Sequence, residues 1–557
     1  MTGVTEPASG SLGPQHAEPG RERVHDVVGI GIGPFGLGMA ALAEPLPDVD
    51  AVFLDQAQGF RWHPGMMLEG ATVQVPFLAD LVTMADPTSP YSFLAFLKAV
   101  GRLYPFYIRE SFYPLRAEYD EYCRWVADQL TTLRWGRRVT AIEVETGGPE
   151  AQEHYRVRAE LLDASGEVIG IEHHRGRHIV LAVGTSPVMP APLHALRAAA
   201  AAHADEPRRS GPVVHSADYL PQREALLRQD SITLIGSGQS AAEIYRDLIE
   251  ETSARGIRLD WLTRSPRFFP MEYTKLTLEM TSPEYTDHFR SLPEELRAHL
   301  GREQRSLYKG ISGDLVDEIH DTLYRLSRGG REVPSMLLAG AEVLEARSEP
   351  VRQCGGSDVG RPQAGEQPVQ EESGADRYVL RVLQADQERT FELRTSAIVA
   401  ATGYSSSVPP FLAPIADRVR LDRRGRLDVS REYTIDDEGR LHVLNAEEHT
   451  HGVTAPDLGF GAWRASVVLA AITGREPYPI ERRIAFQTFG APGTAGAFGH
   501  PGTVSADPLA DETTGAHASG TGVDNPVALD HTEGVTDGGT AATAHTPAQR
   551  MKEAVSR

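Results

Sequence analysis

The chain carries two glycine-rich turns of the kind that hold a dinucleotide. The first follows the apolar run DVVGI, reads Gly31-Ile-Gly33-Pro34-Phe-Gly36, and leads directly into a pattern of small residues typical of a buried helix. In such a turn the first glycine makes the bend, the second lets the backbone approach a pyrophosphate, and the third lets helix and strand pack closely. The next strand-like run, AVFLD, ends at Asp55, where an acid binds a ribose hydroxyl. These five residues are predicted to bind a first dinucleotide.

The second turn lies in SITLIGSGQSAAEIYRDLI, residues 231–249, with alanine in the place of the third glycine. Four of its residues are assigned to a second nucleotide: Gly236, Gly238, Gln239 and Ser240. The following strand-like run ends at Arg264 instead of an acid, with Arg267 close behind. Because arginine at this position suits a 2′-phosphate and disfavours a bare ribose, NADPH is predicted rather than NADH. The alternative is that Arg264 is only a solvated surface charge.

Both turns need a parallel sheet to position them. Apolar runs at 179–190 and 397–409 break at Gly184 and Gly403 into loops that contain proline, which would let the chain cross between two domains and return. The predicted fold class is therefore α/β: a Rossmann-like FAD-binding domain is interrupted by an NADPH-binding domain, and a small helical substrate domain is added.

Composition sets the outer bounds of these domains. Residues 1–23 and the acidic segment 491–557 lack the patterning of a packed core, and both are predicted to be disordered tails. Five segments are predicted between them: a first FAD-binding segment at 24–205, a first NADPH-binding segment at 206–262, a helical substrate-binding region at 263–325, a second NADPH-binding segment at 326–395 with a flexible insertion at 352–376, and a second FAD-binding segment at 396–490.

Composition and charge also exclude several classes of protein. The two cysteines, Cys123 and Cys354, are far apart and form no CxxC pair, which argues against a dithiol reductase and a zinc ribbon, and no metal is predicted. A formal charge of −22, from 55 basic and 77 acidic residues, argues against nucleic acid as a partner. Neither a membrane-spanning apolar run nor a secretory signal pattern occurs, so we expect a cytoplasmic enzyme without a membrane partner.

The stretch RWHPGMMLEGATVQVPFLADLVTMADPTSPYSFLAFL, residues 61–97, resembles the N-hydroxylating flavin monooxygenases of hydroxamate siderophore biosynthesis, the lysine and ornithine N-monooxygenase family. The resemblance continues through GSGQSAAEIY, SPRFFPMEYTKLTLEMTSPEYTDHF, ATGY and THGVTAPDLGFGAWR, and it spans about 24–490. It implies that NADPH reduces FAD and that O2 then forms a C4a-hydroperoxyflavin, which hydroxylates a terminal primary amine. It also implies a homo-oligomer, commonly a tetramer.

The resemblance further implies roles for individual residues. Gln74 and the Trp62-His63-Pro turn match positions against the flavin, and Gln74 and His63 are the catalytic candidates; alternatively, Trp62 is a core aromatic and His63 a structural histidine. The ATGY segment adds three cofactor-binding candidates: Thr402, Gly403 and Tyr404. Between the nucleotide turns, GPVVHSADY resembles the GxxxHxxxY core of the wider flavin monooxygenase fingerprint.

The substrate region departs from the amino-acid hydroxylases of this family. They resemble one another at Gln-x-x-Phe-Leu-Lys-Asp-Leu, where the lysine meets the substrate carboxylate, whereas this chain has Ala79 at the lysine position. Leu278 and Leu307 align approximately with polar asparagines of the ornithine hydroxylases. Because a buried carboxylate without a partner costs free energy, these changes favour a diamine, with cadaverine preferred and putrescine possible.

Three questions stay open at this point. An L-lysine N6-hydroxylase would need another cation for the substrate carboxylate, and Lys275 and Lys309 are candidates. The distal ammonium of a diamine needs an acceptor, for which Glu272, Glu279 and Asp457 are unranked candidates. From a different class, a nucleotide-binding redox sensor without catalysis would share both glycine turns.

Overall fold

This computed structural model describes residues 23–146, 153–202, 211–349 and 377–491. The predicted insertion at 352–376 and nearly all of the two predicted tails lie outside the described residues. The strands in chain order are β1 (Val24–Ile30), β2 (Ala51–Asp55), β3 (Leu133–Trp135), β4 (Arg137–Thr146), β5 (Glu153–Leu162), β6 (Val168–Leu181), β7 (Ser186–Pro187), β8 (Val213–His215), β9 (Ser231–Ile235), β10 (Arg258–Leu262), β11 (Ser335–Leu338), β12 (Ala341–Glu349), β13 (Arg377–Gln384), β14 (Arg389–Thr395), β15 (Ala397–Ala400), β16 (Tyr404–Ser405) and β17 (Leu441–Val443).

Helices connect and cover these strands. They are α1 (Pro34–Ala43), α2 (Phe93–Ala99), α3 (Leu103–Ile108), α4 (Arg116–Ala127), α5 (His194–Ala202), α6 (Tyr219–Leu226), α7 (Gln239–Arg255), α8 (Lys275–Leu278), α9 (Pro283–Ser291), α10 (Glu294–Glu303), α11 (Gly313–Leu326), α12 (Glu448–His451) and α13 (Gly461–Thr473). Among the described residues, none of these helices has the length and apolar character needed to cross a membrane.

The first sheet has seven strands in the order β3-β2-β1-β6-β5-β4, with β17 also paired to β6. The central pairs of β1 with β2 and β6 are parallel, whereas β4, β5 and the first half of β6 form an antiparallel ribbon. Strand β1 runs straight into the first glycine turn, and α1 packs beside α13. A Cβ on Gly38 of α1 would lie 2.9 Å from the Leu81 carbonyl oxygen, so the small residues of this helix allow close packing.

The second sheet has the order β11-β10-β9-β15-β8, and all of its pairs are parallel. The predicted boundary between residues 395 and 396 is therefore wrong, because β15 pairs with β9 and β8 and belongs to the second sheet. The apolar run AIVA is fully buried between its two neighbours. The predicted α/β fold with two Rossmann-like sheets is confirmed; strands β12 to β14 add an antiparallel meander to the second domain.

In the described part of the chain, the two crossings between the sheets lie side by side. Strands β7 and β16 form a short antiparallel pair, with Tyr404 opposite Pro187 and Ser405 opposite Ser186. The predicted end of the first FAD-binding segment at residue 205 is therefore too late. Leu193, just before α5, and Leu196, in its first turn, already pack with Val213 and Ile398 of the second sheet.

The predicted helical region 263–325 divides into two units in the structure. The segment of α8 to α10 packs Tyr285 and Phe289 into a small apolar cluster that also includes Val453. Helix α11, by contrast, places Leu315 and Ile319 against the core of the second domain, because its apolar face packs beside α7. The separate helical unit is therefore shorter than predicted.

Candidate active site

The first glycine turn is shaped as a cradle. Gly31 has a φ of +98°, and a Cβ there would lie 2.3 Å from the Ala182 carbonyl oxygen. A Cβ on Gly36 would lie 2.1 Å from the Gly31 carbonyl oxygen, whereas no atom lies within 4 Å of a Cβ on Gly33. The outer glycines thus serve packing, and Gly33 leaves open space at the start of α1. Pro34 occupies the first turn of α1, where the missing N–H has no helical partner in any case. These features fit a pyrophosphate at the helix N-terminus.

Asp55 stands at the end of β2, beside this turn. Its carboxylate accepts hydrogen bonds from the Ile32 amide at 2.7 Å and from the Ala57 amide at 2.8 Å. The acid is thereby held against the glycine turn, where the sequence predicts a ribose contact.

The second glycine turn is built in the same way. A Cβ on Gly236 would lie 2.2 Å from the Ala401 carbonyl oxygen, and Ala241, in the third position, is fully buried. The side chain of Gln239 accepts a hydrogen bond from the Ser312 amide at 2.8 Å and donates one to Glu243 at 3.0 Å. Gln239 thus ties the turn to the start of α11, and Ser240 follows it in the first turn of α7.

Arg264 and Arg267 follow β10, the strand next to the second glycine turn. Both side chains are exposed, and the Arg267 guanidinium lies 4.4 Å from the centre of the Phe269 ring. Among the described residues, Arg264 forms no ion pair. Its charge is therefore available at the position predicted to face a 2′-phosphate.

The Trp62-His63-Pro turn, which is predicted to lie against the flavin, is at the junction of the two domains. A Cβ on Gly65 would lie 1.8 Å from the Ala217 carbonyl oxygen, so the first domain touches the second through bare backbone here. Nearby, Arg116 forms a nearly buried ion pair with Glu243, at 2.8 Å, and donates to the Met66 carbonyl oxygen at 2.7 Å. This interdomain pair was not found by sequence reasoning, since its partners are 127 residues apart.

His63 and Trp62 have different surroundings at this junction. His63 has a left-handed φ of +46°, and its ring centre lies 5.4 Å from that of Tyr404. Desolvation by surrounding protein atoms and then the positive charge of Arg116 lower the pKa of His63 to about 4, so the ring is neutral at physiological pH. Trp62 packs on Tyr119 with ring centres 5.0 Å apart, which agrees with the alternative of a core aromatic.

The ATGY segment forms the return crossing. Gly403 has a φ of +83°, and its carbonyl oxygen accepts a hydrogen bond from His215 at 3.1 Å. The Thr402 hydroxyl donates to the Val188 carbonyl oxygen at 2.5 Å, and the Tyr404 ring lies edge-on to His215. His215 of the GxxxHxxxY segment thus braces the junction on which His63 also lies.

Gln74 is hydrogen-bonded to the segment that precedes α8. The Tyr273 hydroxyl donates to the main-chain carbonyl oxygen of Gln74 at 2.8 Å, and the Gln74 side-chain amide donates to the Thr72 carbonyl oxygen at 3.2 Å. Sequence reasoning missed Tyr273, although it lies in the FFPMEYTKL segment that carries some of the resemblance.

Ala79 and Asp457 flank one glycine. A Cβ placed on Gly459 would lie 3.5 Å from the Ala79 Cβ and 3.0 Å from Asp457 Oδ1. Asp457 Oδ1 accepts the Gly459 amide at 2.6 Å, and Oδ2 lies 3.5 Å from the Thr281 hydroxyl. Desolvation raises the pKa of Asp457, and among the described residues no lysine or arginine forms an ion pair with it. The result is a desolvated carboxylate beside the position where amino-acid hydroxylases carry a lysine.

The other predicted substrate residues have other surroundings. Glu272 is exposed and accepts a hydrogen bond from Ser306, whereas Glu279 accepts hydrogen bonds from the amide and side chain of Gln487. Lys309 pairs with Glu448 at 2.7 Å. The three remaining candidates are an exposed Lys275, a half-exposed Leu278, and Leu307 within the helical cluster. Of the three candidate acids, Asp457 is the one whose carboxylate lies beside the same glycine as Ala79.

Comparison with known proteins identifies the family. Residues 23–355, more than half of the chain, match the family model described as L-lysine 6-monooxygenase/L-ornithine 5-monooxygenase. The chain belongs to this monooxygenase family. It is 42% identical over 468 residues to the putrescine N-hydroxylase of Shewanella oneidensis, covering 84% of each chain. It is 37% identical to the putrescine N-hydroxylase of Acinetobacter baumannii, covering 84% of this chain and 94% of the relative.

A solved structure extends the comparison to three dimensions. The FAD-bound crystal structure of DfoA, the cadaverine monooxygenase of desferrioxamine biosynthesis in Erwinia amylovora, shares 44% identity with this monooxygenase and a TM-score of 0.74. The match covers 84% of this chain and 99% of DfoA. The predictions of the family and of an enzyme are confirmed. Among the described residues, no group of three or more His, Cys, Asp or Glu side chains is arranged to hold a metal ion.

Proposed function

We propose that this monooxygenase hydroxylates one terminal amine of an aliphatic diamine, cadaverine or putrescine, with FAD, NADPH and O2, in the biosynthesis of a hydroxamate siderophore. The observation that carries the proposal is that Ala79 and a desolvated Asp457 lie beside the same glycine, Gly459. This arrangement offers an acceptor for a second ammonium. The names of the diamine hydroxylases that resemble the chain support the same substrate class.

The residues of the first glycine turn and Asp55 would hold FAD, and those of the second turn with Arg264 would hold NADPH. When bound, the reduced flavin supplies the chemistry that activates O2, which no side chain can do. Gln74, as a neutral amide, would hydrogen-bond the flavin side of the site without adding a competing charge. His63, neutral because its pKa is lowered to about 4, would likewise add no charge beside the flavin.

Asp457 would bind the distal ammonium and so orient the other end of the diamine. The reacting amine must be neutral, because only the neutral form has a lone pair, and a desolvated site favours that form. One end of the substrate is thus held as a cation, and the other is held as a free base. For an L-lysine substrate the α-carboxylate would need a cation, and of the two candidates Lys309 is already paired with Glu448.

The experiment that tests the proposal is a substrate panel with purified enzyme, NADPH and O2. Cadaverine, putrescine, L-lysine and L-ornithine are compared by hydroxylamine formation, since NADPH loss alone can reflect uncoupled oxidation. We expect hydroxylamine from the diamines. A flavin-bound protein that yields no hydroxylamine from any amine would instead be the redox sensor, and product from L-lysine alone would support the lysine hydroxylase.

Replacing Arg264 by alanine is expected to affect NADPH and NADH differently. A charge-assisted contact to the 2′-phosphate is worth about 1.5–3 kcal/mol, so KM for NADPH should rise about 10- to 100-fold, while KM for NADH should change little. Anaerobic flavin reduction by each nucleotide provides the measurement. Equal effects on both nucleotides would assign Arg264 to the solvated surface instead.

The segment before the predicted C-terminal tail anchors the helical region. Ile484 and Ala485 amides donate to the buried Glu284 at 2.7 and 3.0 Å, and the ring of Phe489 lies edge-on to Tyr285. We expect a chain ending at Ala491 to keep the activity and melting temperature of the full chain. A chain ending at Glu481 should melt at lower temperature and show a higher KM for the amine. Loss of activity in the chain that ends at Ala491 would instead give the tail a catalytic role.

We further propose a homo-oligomer, a tetramer as the resemblance implies. Large apolar side chains on and after α3 support this, since three of them, Tyr104, Tyr107 and Ile108, are more than 70% exposed. Light scattering after size-exclusion chromatography would test the state, and a monomer at micromolar concentration would contradict it. The proposed use of NADPH supports a cytoplasmic location.

A further inference from the structure

A buried ion pair lies directly behind the first glycine turn. Arg464 on α13 and Glu447 before α12 are both fully buried, with 2.9 Å between Nη1 and Oε1. The other terminal nitrogen of Arg464 donates to the carbonyl oxygens of Thr454 and Ala455, at 2.9 and 2.6 Å. These carbonyls belong to the turn that leads to Asp457, so the guanidinium fixes the backbone of the proposed ammonium acceptor.

The same guanidinium also contacts an aromatic ring of the first glycine turn. Its central carbon is 4.7 Å from the centre of the Phe35 ring, and Phe35 belongs to the first glycine turn. Gly461 leaves room for this ring, because a Cβ there would lie 3.2 Å from it. Arg464 is therefore in contact with both the turn predicted to hold FAD and the turn that carries Asp457.

Stability alone is a poor reason for such a pair. Taking two charges out of water costs several kcal/mol per ion, and apolar residues of similar volume often serve a core equally well. Burial raises the pKa of Glu447, while the positive charge of Arg464 opposes this rise, so Arg464 favours the charged form of Glu447. A planar, fixed cation that contacts two carbonyls and the rings of Phe35 and Tyr433 has a geometric use that an apolar side chain could not supply.

We propose that Arg464, held by Glu447, is a positioning residue that sets the spacing between the distal ammonium of the substrate and the flavin. The inference rests on the proposed function, since it acts through Asp457. Arg464→Lys keeps the positive charge but loses the planar guanidinium with its several N–H donors. Glu447→Gln keeps the side-chain shape but loses the negative charge. Both changes should loosen the Asp457 turn without touching the nucleotide contacts of the second domain.

The test measures hydroxylamine formed per NADPH oxidised with cadaverine, on protein saturated with FAD. Because misplacement by about 1 Å can cost a reaction about 100-fold, this ratio should fall at least about fivefold in both variants, and KM for cadaverine should rise. Anaerobic flavin reduction by NADPH should stay within about twofold of the wild-type rate, since that step does not use Asp457. Arg418→Lys, which alters the Arg418–Glu153 pair elsewhere in the same domain, is the matched control and should leave the ratio unchanged.

A double variant separates positioning from a general loss of structure. If Arg464 acts through Asp457, the effects of Arg464→Lys and Asp457→Asn on KM will be less than additive. FAD-loaded variants with the wild-type ratio would overturn the inference, as would additive effects. If only one of Arg464→Lys and Glu447→Gln folds, the test uses that variant alone. If neither variant binds FAD, the ion pair is needed for folding, and the positioning role is overturned. Wild-type enzyme that makes no hydroxylamine from any diamine would refute the proposed function itself.

Discussion

Replacing Ala79 by lysine is expected to lower kcat/KM for cadaverine about 10- to 100-fold, because a charged hydrogen bond worth about 1.5–3 kcal/mol would then form within the protein. Ala79 and Asp457 Oδ1 flank Gly459, so a lysine at position 79 would bring its ammonium to the carboxylate that we assign to the substrate. The new side chain would compete with the distal ammonium of the diamine. Steady-state hydroxylamine formation measures the loss.

Ala79→Met is the matched control for this experiment. Methionine fills similar space without a charge, and Ala79 is only 7% exposed, so any steric cost should appear in both variants. We expect the lysine variant to lose clearly more diamine turnover than the methionine variant and to improve L-lysine relative to cadaverine. Unchanged diamine turnover in Ala79→Lys, at full FAD occupancy, would refute the role given to this position.

Replacing Asp457 by asparagine is expected to raise KM for cadaverine about 10- to 100-fold, with a smaller change in kcat, because the lost interaction is a charge-assisted hydrogen bond. Asparagine keeps the shape and can still accept the Gly459 amide, which bonds to Oδ1 at 2.6 Å. Pentan-1-amine, which lacks a second ammonium, should show nearly the same KM in both enzymes. The comparison of the two amines isolates the charge from the structure of the turn.

The pH dependence of KM for cadaverine provides an independent test of the role of Asp457. Desolvation raises the pKa of Asp457, so the carboxylate takes up its proton at a higher pH than an ordinary aspartate does. KM for cadaverine should therefore rise as the pH falls through this pKa, and the Asp457→Asn variant should lose that dependence. Glu272→Gln, which changes an exposed acid, should behave as wild type. Equal effects of the two substitutions would contradict the assignment of Asp457.

The strand-turn-helix geometry of the two glycine turns could be predicted from the sequence because each turn is local. Strand, glycines and helix follow one another within about 20 residues, and the physical demand on every glycine is the same in any Rossmann-like domain. The allocation of strand β15 could not be predicted in this way. The run AIVA shows that it is buried on both sides, but an apolar run does not show which of two parallel sheets it enters.

In the candidate site, too, local features could be predicted from the sequence, whereas contacts between distant segments could not. The resemblance places Ala79 where amino-acid hydroxylases carry a lysine, and this difference points to a substrate without a carboxylate. The choice among three acids for the distal ammonium is not visible, since it depends on contacts between segments far apart in the chain. Gln487 holds Glu279 from more than 200 residues away, and Asp457 comes to Ala79 only through the packing of the turn after α12.

The central claim is that the enzyme binds the distal nitrogen of the substrate as an ammonium cation and does not bind a substrate carboxylate. A competition assay tests it most directly. Equal concentrations of cadaverine and L-lysine are given to one sample of enzyme with NADPH and O2, and the two N-hydroxylated products are separated by mass. We predict that the product ratio favours hydroxycadaverine by at least about tenfold, which corresponds to about 1.4 kcal/mol. A ratio near one, or an excess of N6-hydroxylysine, would contradict the account.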